Sequence, residues 1–199
     1  MKRLILLLAA MAATMVVASG VALAVTKIGG PGPDTLRGTN GADNLLGEGG
    51  NDRIFGLRGN DNLLGGSGKD VVMGGSEEIR PLGGNKNVVG GSGNDAVLGG
   101  LGSDDLVGGG GNDYLVDGGF EDAVQDNLSA GTGNDVLDVA NKTGAKRDVV
   151  SCGSGFDRVL ADRKDVVAPG CERVTVGAHT DDAFYNSIPQ SFWEGLPKF

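Results

Sequence analysis

Residues Gly90–Val116 read GGSGNDAVL, GGLGSDDLV and GGGGNDYLV, three consecutive nine-residue units with one pattern. Glycine stands at positions one, two and four of each unit, aspartate at position six and an aliphatic residue at position eight. Because glycine tolerates positive φ and close backbone approach, the first six residues predict a tight turn. The last three predict a short strand whose aliphatic side chain points to one face. Such units can bury their aliphatic residues only by stacking, so the repeat predicts a solenoid.

The same spacing extends towards the N-terminus, which lengthens the predicted solenoid. The first unit of the series, Gly29–Arg37, contains two prolines and is interpreted as an edge or cap, because proline removes a backbone donor. Position-six aspartates of the regular units are Asp34, Asp43, Asp52, Asp61, Asp70, Asp95, Asp104 and Asp113. The corresponding position-eight residues, predicted to form the core, are Leu36, Leu45, Ile54, Leu63, Val72, Val97, Leu106 and Leu115.

The pattern fails over residues 74–89. Position six is assigned to Ile79 in one unit and to Asn87 in the next, shortened one, so we expect this stretch to bind metal poorly. Two alternatives are open: one solenoid ends here and a second begins at Gly90, or one solenoid continues past a loop. The lack of a long polar linker favours continuity.

The repeats become looser after residue 117. Counting on from Asp113 by one unit assigns position six to Asp122 and position eight to Val124, and Asp135 returns to phase after a short insertion. Asp148 and Val150 are candidates for the corresponding places in the next irregular stretch. The last recognisable unit, CGSGFDRVL, places Asp157 at position six.

The N-terminus indicates the compartment. Residues 1–24 combine Lys2 and Arg3, an apolar run and the small-residue site Ala22–Ala24, the pattern of a secretory signal peptide. The alternative is an uncleaved anchor, since Leu4–Val25 is just long enough to span a bilayer. With the signal cleaved, we predict a secreted, extracellular protein without a stable membrane span.

Composition excludes one class of partner. The whole chain has a formal net charge of −9, with 17 Lys and Arg against 26 Asp and Glu. A general nucleic-acid binder needs a basic footprint, which this chain lacks. The acidic residues recur at one position of the repeat, where a divalent cation would neutralise them.

The consensus GGxGxDxUx, with U a large aliphatic residue, is that of RTX, or hemolysin-type, calcium-binding repeats, and the chain resembles that family closely. The resemblance implies an all-β fold, a right-handed parallel β-roll with two repeats per turn. It also implies several Ca²⁺ ions between neighbouring turns on each edge, so that ligands for one ion come from alternate units, such as those of Asp34 and Asp52. Calcium prefers six to eight oxygen ligands, which carbonyls and carboxylates of such turns supply. The implied metal ligands are Asp34, Asp43, Asp52, Asp61, Asp70, Asp95, Asp104, Asp113, Asp122, Asp135 and Asp157.

The C-terminal part resembles the disulfide-closed ends of secreted bacterial calcium-repeat proteins, over CGSGFDRVLADRKDVVAPGCERV. The resemblance implies a disulfide between Cys152 and Cys171, and the alternative is two unpaired buried cysteines. We therefore assign the roll to residues 25–171. Residues 172–199, which are rich in aromatic side chains, are predicted to form a cap over the end of the roll, or an exposed tail.

The sequence contains few residues that could support enzyme catalysis. His179 is the only histidine, and the aspartates are equivalent members of a repeat, whereas an active site needs carboxylates in unlike environments. We predict a calcium-binding protein, not an enzyme, with calcium-dependent folding and a structural or adhesive role, and with cell-surface or extracellular polysaccharide as a candidate partner. The alternative is a small calcium-dependent carbohydrate-active enzyme, or the detached calcium module of one.

Overall fold

The computed structural model describes residues 23–75, 84–118, 124–141, 147–178 and 182–195. In these ranges short strands alternate between two parallel sheets. Sheet A contains β1 (Thr26–Ile28), β3 (Asn44–Gly49), β5 (Asn62–Ser67), β7 (Asn87–Ser92), β9 (Asp105–Gly110), β11 (Asn127–Thr132), β13 (Val149–Ser154) and β15 (Val166–Val167). Sheet B contains β2 (Thr35–Arg37), β4 (Arg53–Phe55), β6 (Val71–Met73), β8 (Ala96–Leu98), β10 (Tyr114–Val116), β12 (Val136–Asp138), β14 (Arg158–Ala161) and β16 (Arg173–Val176).

Each strand pairs in parallel with the strand one turn further along the chain. In the regular part the paired residues are 18 positions apart, as for Asn44 with Asn62, and Leu36 pairs with Ile54 in the same way. Two nine-residue units therefore make one turn, which confirms the predicted all-β parallel roll.

The core is a ladder of aliphatic side chains between the two sheets. One residue of each short strand faces inward because side chains alternate along a strand. Its buried members include every position-eight residue predicted from the regular units: Leu36, Leu45, Ile54, Leu63, Val72, Val97, Leu106 and Leu115. Each such side chain contributes about 1.5–3 kcal/mol by leaving water.

Close stacking of the turns explains the fourth-position glycines. Gly93 has a φ of +134°, and a Cβ there would collide with the carbonyl oxygen of Gly68 in the preceding turn. Only glycine combines this backbone conformation with so close an approach. Two non-glycine residues at position two, Glu48 and Leu57, also have positive φ, of 74° and 78°.

The roll is continuous across the irregular stretch. β5 pairs with β7 and β6 with β8, so the alternative of two separate solenoids is wrong. The register offset is larger there, since Asn62 pairs with Asn87, and the extra residues fall in the β6–β7 connection. The later pairings of β9 with β11 and of β11 with β13 are also offset by more than two units, which places additional residues between β10 and β11 and between β12 and β13. All three longer connections run from sheet B to sheet A, so they share one edge of the roll.

The C-terminal part closes the roll in two ways. Cys152 and Cys171 form the predicted disulfide, with Cα atoms 5.3 Å apart, and the alternative of unpaired cysteines is wrong. β16, beyond Cys171, adds a last strand to sheet B. Two short helices follow, α1 (Asp182–Asn186) and α2 (Gln190–Gly195).

In the described part of the aromatic segment, the packed side chains lie on the side of the roll and not over the end of the core ladder. Phe184 and Ile188 pack against Val136, Ala140 and Leu160, which form a separate cluster on the outer face of sheet B. Trp193 lies edge-on to Tyr114 on the same face, with ring centroids 5.3 Å apart. The helices therefore cover the side of the roll. None of the described helices is long and apolar enough to cross a membrane.

Candidate metal centres

Position-six residues of successive turns form two columns, one along each edge of the roll. The first column precedes the strands of sheet A and contains Asp43, Asp61, Lys86, Asp104, Asp126, Asp148 and Asp165. The second column precedes the strands of sheet B and contains Asp34, Asp52, Asp70, Asp95, Asp113, Asp135, Asp157 and Glu172.

Hydrogen bonds from main-chain N–H groups to side-chain carboxylates connect the residues of each column. The N–H of Asp52 donates to Oδ1 of Asp70 at 2.8 Å, and the N–H of Asp95 donates to Oδ1 of Asp113 at 2.9 Å. Asp104 lies in the other column, although it is nearer to Asp95 in sequence. Aspartates of alternate units are therefore neighbours, as predicted, and the pairs include Asp34–Asp52, Asp52–Asp70, Asp43–Asp61 and Asp95–Asp113.

Counting by nine from Asp113 makes Asp122 the neighbour of Asp104, and this assignment is wrong. Asp104 donates its N–H to Oδ1 of Asp126 at 2.6 Å, so Asp126, which is fully buried, takes the place assigned to Asp122. Asp122 itself lies outside the described residues. The error arises because the extra residues precede this repeat unit and do not follow it. A signal was present in the sequence: Asp126-Asn-Leu repeats the triplets that begin at Asp43 and Asp61.

In the irregular stretch, residues 74–89, the assignment of position six to Asn87 is also wrong. Asn87 begins β7 and pairs with Asn62, so position six belongs to Lys86 and not to Asn87. The N–H of Lys86 donates to Oδ1 of Asp104 at 2.8 Å, as an aspartate would at this place. Ile79, assigned to position six of the preceding unit, lies outside the described residues.

The columns end in acidic residues that counting did not assign. Asp148 donates its N–H to Oδ1 of Asp165 at 3.1 Å, and Asp157 donates to Oε2 of Glu172 at 2.8 Å. Asp148 and Val150, candidates in the sequence, do take the column and core positions. The amide of Asn141 donates to Oδ2 of both Asp117 and Asp148, at 3.0 and 3.2 Å.

The second carboxylate oxygen of the column residues, Oδ2, indicates what these sites can bind. In the described part of the chain, Oδ2 is buried without a hydrogen-bond partner in Asp52, Asp61, Asp70, Asp95, Asp113, Asp135 and Asp157. A Cβ built on Gly90 would lie 2.7 Å from both Asp95 Oδ2 and the carbonyl oxygen of Gly108. A carboxylate oxygen and a carbonyl of the next turn thus converge beside this first-position glycine. Such oxygen-lined spaces suit a hard cation such as calcium.

The charge balance of the interior also requires cations or protons. Among the described residues, thirteen aspartates are buried against one buried basic residue, Lys86. Burial, to which the like charge of a neighbouring turn adds, raises the pKa of Asp70 to about 6 and the pKa of Asp95 and Asp113 to about 7. Bound divalent cations would reverse this effect, because a nearby positive charge favours the ionised carboxylate.

The donor set fits calcium through mixed ligands. Across the ranges that the structure describes, no three His, Cys, Asp or Glu side chains form a group that could hold a metal ion. An ion between turns would therefore take main-chain carbonyls together with its carboxylates. This combination is common at calcium sites.

Family comparison agrees with this geometry. The model of the RTX calcium-binding nonapeptide repeat matches four segments, residues 28–63, 47–77, 83–115 and 125–139. The chain is therefore a calcium-binding repeat protein, and its roll is built from RTX calcium-binding nonapeptide repeats. No curated protein and no solved structure matches it.

Proposed function

We propose that this chain is a secreted structural protein whose roll forms only when calcium fills the spaces between its turns. The observation that carries the proposal is the row of buried Oδ2 atoms without hydrogen-bond partners, at Asp52, Asp70, Asp95, Asp113 and Asp135 in the second column. Without a cation, these carboxylates oppose folding, since a buried charge needs a partner.

The proposed calcium ligands are the sequence-predicted aspartates that lie in the two columns, together with Asp126 and with carbonyls of the glycine turns. Asp126 joins the predicted set through its place in the first column, whereas Asp122 has no such support. These ligands are Asp34, Asp43, Asp52, Asp61, Asp70, Asp95, Asp104, Asp113, Asp126, Asp135 and Asp157.

Calcium titration tests the proposal. Circular dichroism of the chelator-treated chain that lacks residues 1–24 should show β structure appearing as calcium is added. Extracellular sites commonly bind near 10⁻⁴–10⁻³ M, so the transition should fall in about that range. Magnesium at equal concentration should fail, because it demands near-ideal octahedral geometry. A folded spectrum that is identical in chelator and in calcium would contradict the proposal.

Secretion is supported by the signal-like residues 1–24 and by the Cys152–Cys171 disulfide, since disulfides persist in oxidising compartments. RTX repeats are calcium-binding units of structure and not catalytic ones, which argues against the enzyme alternative. An adhesive role towards extracellular polysaccharide stays a prediction. It would be tested by retention on immobilised acidic polysaccharide in calcium, compared with retention in chelator.

A further inference from the structure

Lys86 occupies a place where the neighbouring turns of its column have aspartate. It is only 3% exposed and lies between Asp61 and Asp104. Its main chain keeps the column pattern: the N–H of Asn87 donates to the Asp61 carbonyl and the N–H of Asp105 to the Lys86 carbonyl, both at 2.9 Å. The backbone of the turn at Lys86 is therefore regular, and only the side chain differs from that of the other turns.

The Lys86 side chain fills the space that an aspartate carboxylate fills in other turns. A Cβ built on Gly74 would lie 2.9 Å from Cγ of Lys86, whereas one built on Gly90 meets Oδ2 of Asp95 in the corresponding position. The ammonium nitrogen donates to the carbonyl oxygen of Gly84 at 2.7 Å. A carbonyl at the edge of the roll thus binds an ammonium.

Electrostatics link the ammonium to the acidic column. Burial raises the pKa of the Asp61 carboxyl, and the positive charge of Lys86 acts in the opposite direction. A charged lysine has donors but no acceptor, so it cannot be a calcium ligand. It would also repel a divalent cation a few ångströms away, and the repulsion is strong where water is excluded.

We propose that the ammonium of Lys86 takes the place of a calcium ion in the first column. The column is then divided into two calcium-binding stretches, one ending at Asp61 and the other beginning at Asp104. In the second column, acidic residues continue through every turn from Asp34 to Glu172. The inference rests on the proposed calcium-dependent roll. It identifies the turn of the first column at which a lysine ammonium stands in place of calcium.

Lys86→Asp restores the repeat pattern and tests the proposal. Calcium bound per chain would be measured by equilibrium dialysis at saturating calcium, with circular dichroism to establish folding. The variant should bind at least about one more ion than the unsubstituted chain, because calcium affinity depends on ligand charge count. Lys69→Asp, at an exposed position beside Asp70, is the matched control and should leave the number of ions unchanged. An unchanged number in folded Lys86→Asp, or an equal gain in Lys69→Asp, would overturn the proposal.

Lys86→Gln provides an independent test if Lys86→Asp does not fold. Glutamine keeps a donor for the Gly84 carbonyl but removes the charge. In saturating calcium, either an additional ion should bind or the unfolding equilibrium constant should rise at least about tenfold, because a buried carboxylate loses its cation. Lys69→Gln should change neither quantity. If both quantities stay the same in Lys86→Gln, the ammonium does not replace calcium.

These outcomes separate the two proposals. If the unsubstituted chain binds no calcium, the proposed function fails. If it binds calcium and folds with it, but neither Lys86 variant changes stoichiometry or stability, only the fixed cation is wrong.

Discussion

Glu48 shows how strongly one residue position is constrained in this roll. It stands at position two with a φ of 74°, a conformation that later units give to glycines such as Gly66 and Gly91. A residue with a Cβ in this region is strained by roughly 1–2 kcal/mol. Part of that strain would be offset by the greater freedom of glycine in the unfolded chain.

Glu48→Gly should therefore stabilise the calcium-bound roll by about 0.5–1 kcal/mol. The side chain is exposed, so its removal costs little packing. Urea denaturation in saturating calcium measures the effect. Glu48→Ala is the control, because it removes the carboxylate and keeps the strained Cβ. Equal midpoints for the two variants would show that backbone strain is not the cause.

Asp122 and Asp126 offer a direct test of the corrected register. Asp126→Asn should lose about one bound calcium ion, because it removes a carboxylate from the first column. Asp122→Asn should bind as many ions as the unsubstituted chain. Equilibrium dialysis distinguishes the two variants. Loss of an ion in Asp122→Asn alone would show that Asp122, found by counting nine residues from Asp113, is the ligand.

At the scale of the strand, each short element contributes one inward side chain. Leu115 in β10 is fully buried in the core ladder, whereas Leu64 in β5 points outward and is 38% exposed. Leu115→Ala should destabilise the calcium-bound roll by about 2–5 kcal/mol. Leu64→Ala, the same substitution outside the core, should change stability by about 0.5 kcal/mol or less. If the two variants lost similar amounts of stability in urea denaturation, the inward and outward side chains would be equally well packed, which would contradict the prediction.

The strands also show what could be predicted from the sequence. Wherever units followed one another without insertion, counting along the nonapeptide repeat found both the core ladder and the column neighbours, because each unit repeats the same hydrogen bonds. Counting failed at Asp126 and Lys86, since an insertion does not reveal on which side of the strand its residues lie. Only pairing with the adjacent turn settles that. The position of the helices was unpredictable for a similar reason: it depends on outward side chains such as Tyr114 and Val136, which the repeat leaves free to vary.

At the scale of the whole molecule, the buried acidic columns predict an unusual pH dependence. Burial raises the pKa of Asp61 and Asp70 to about 6, and the pKa of Asp135 and Asp148 to about 7. The unfolded chain titrates near a pKa of about 3.9. The metal-free folded state therefore holds protons more tightly than the unfolded state. The resulting stability is fully present below about pH 4 and is lost as the pH rises through 6–7.

In chelator, acidification from pH 8 to pH 5 should thus increase the folded fraction, as followed by circular dichroism. In calcium the direction reverses, since protons compete with the metal and should raise the calcium midpoint at pH 5. A chelator-treated chain whose spectrum does not change between pH 8 and pH 5 would contradict this prediction. Asp113→Asn removes one titrating group and should weaken the response without abolishing it.

The stacking of turns has a mechanical consequence. Each turn contacts chiefly its neighbours, so a chain pulled from both ends should lose one turn at a time. Releasing one regular turn, from Asp43 to Asp61, lengthens the chain by roughly 60 Å. The disulfide between Cys152 and Cys171 joins β13 to the segment that follows β15, so the residues between the two cysteines cannot be released in this way. Under tension the roll should therefore unravel in steps from its N-terminal end, and added calcium should raise the force of each step.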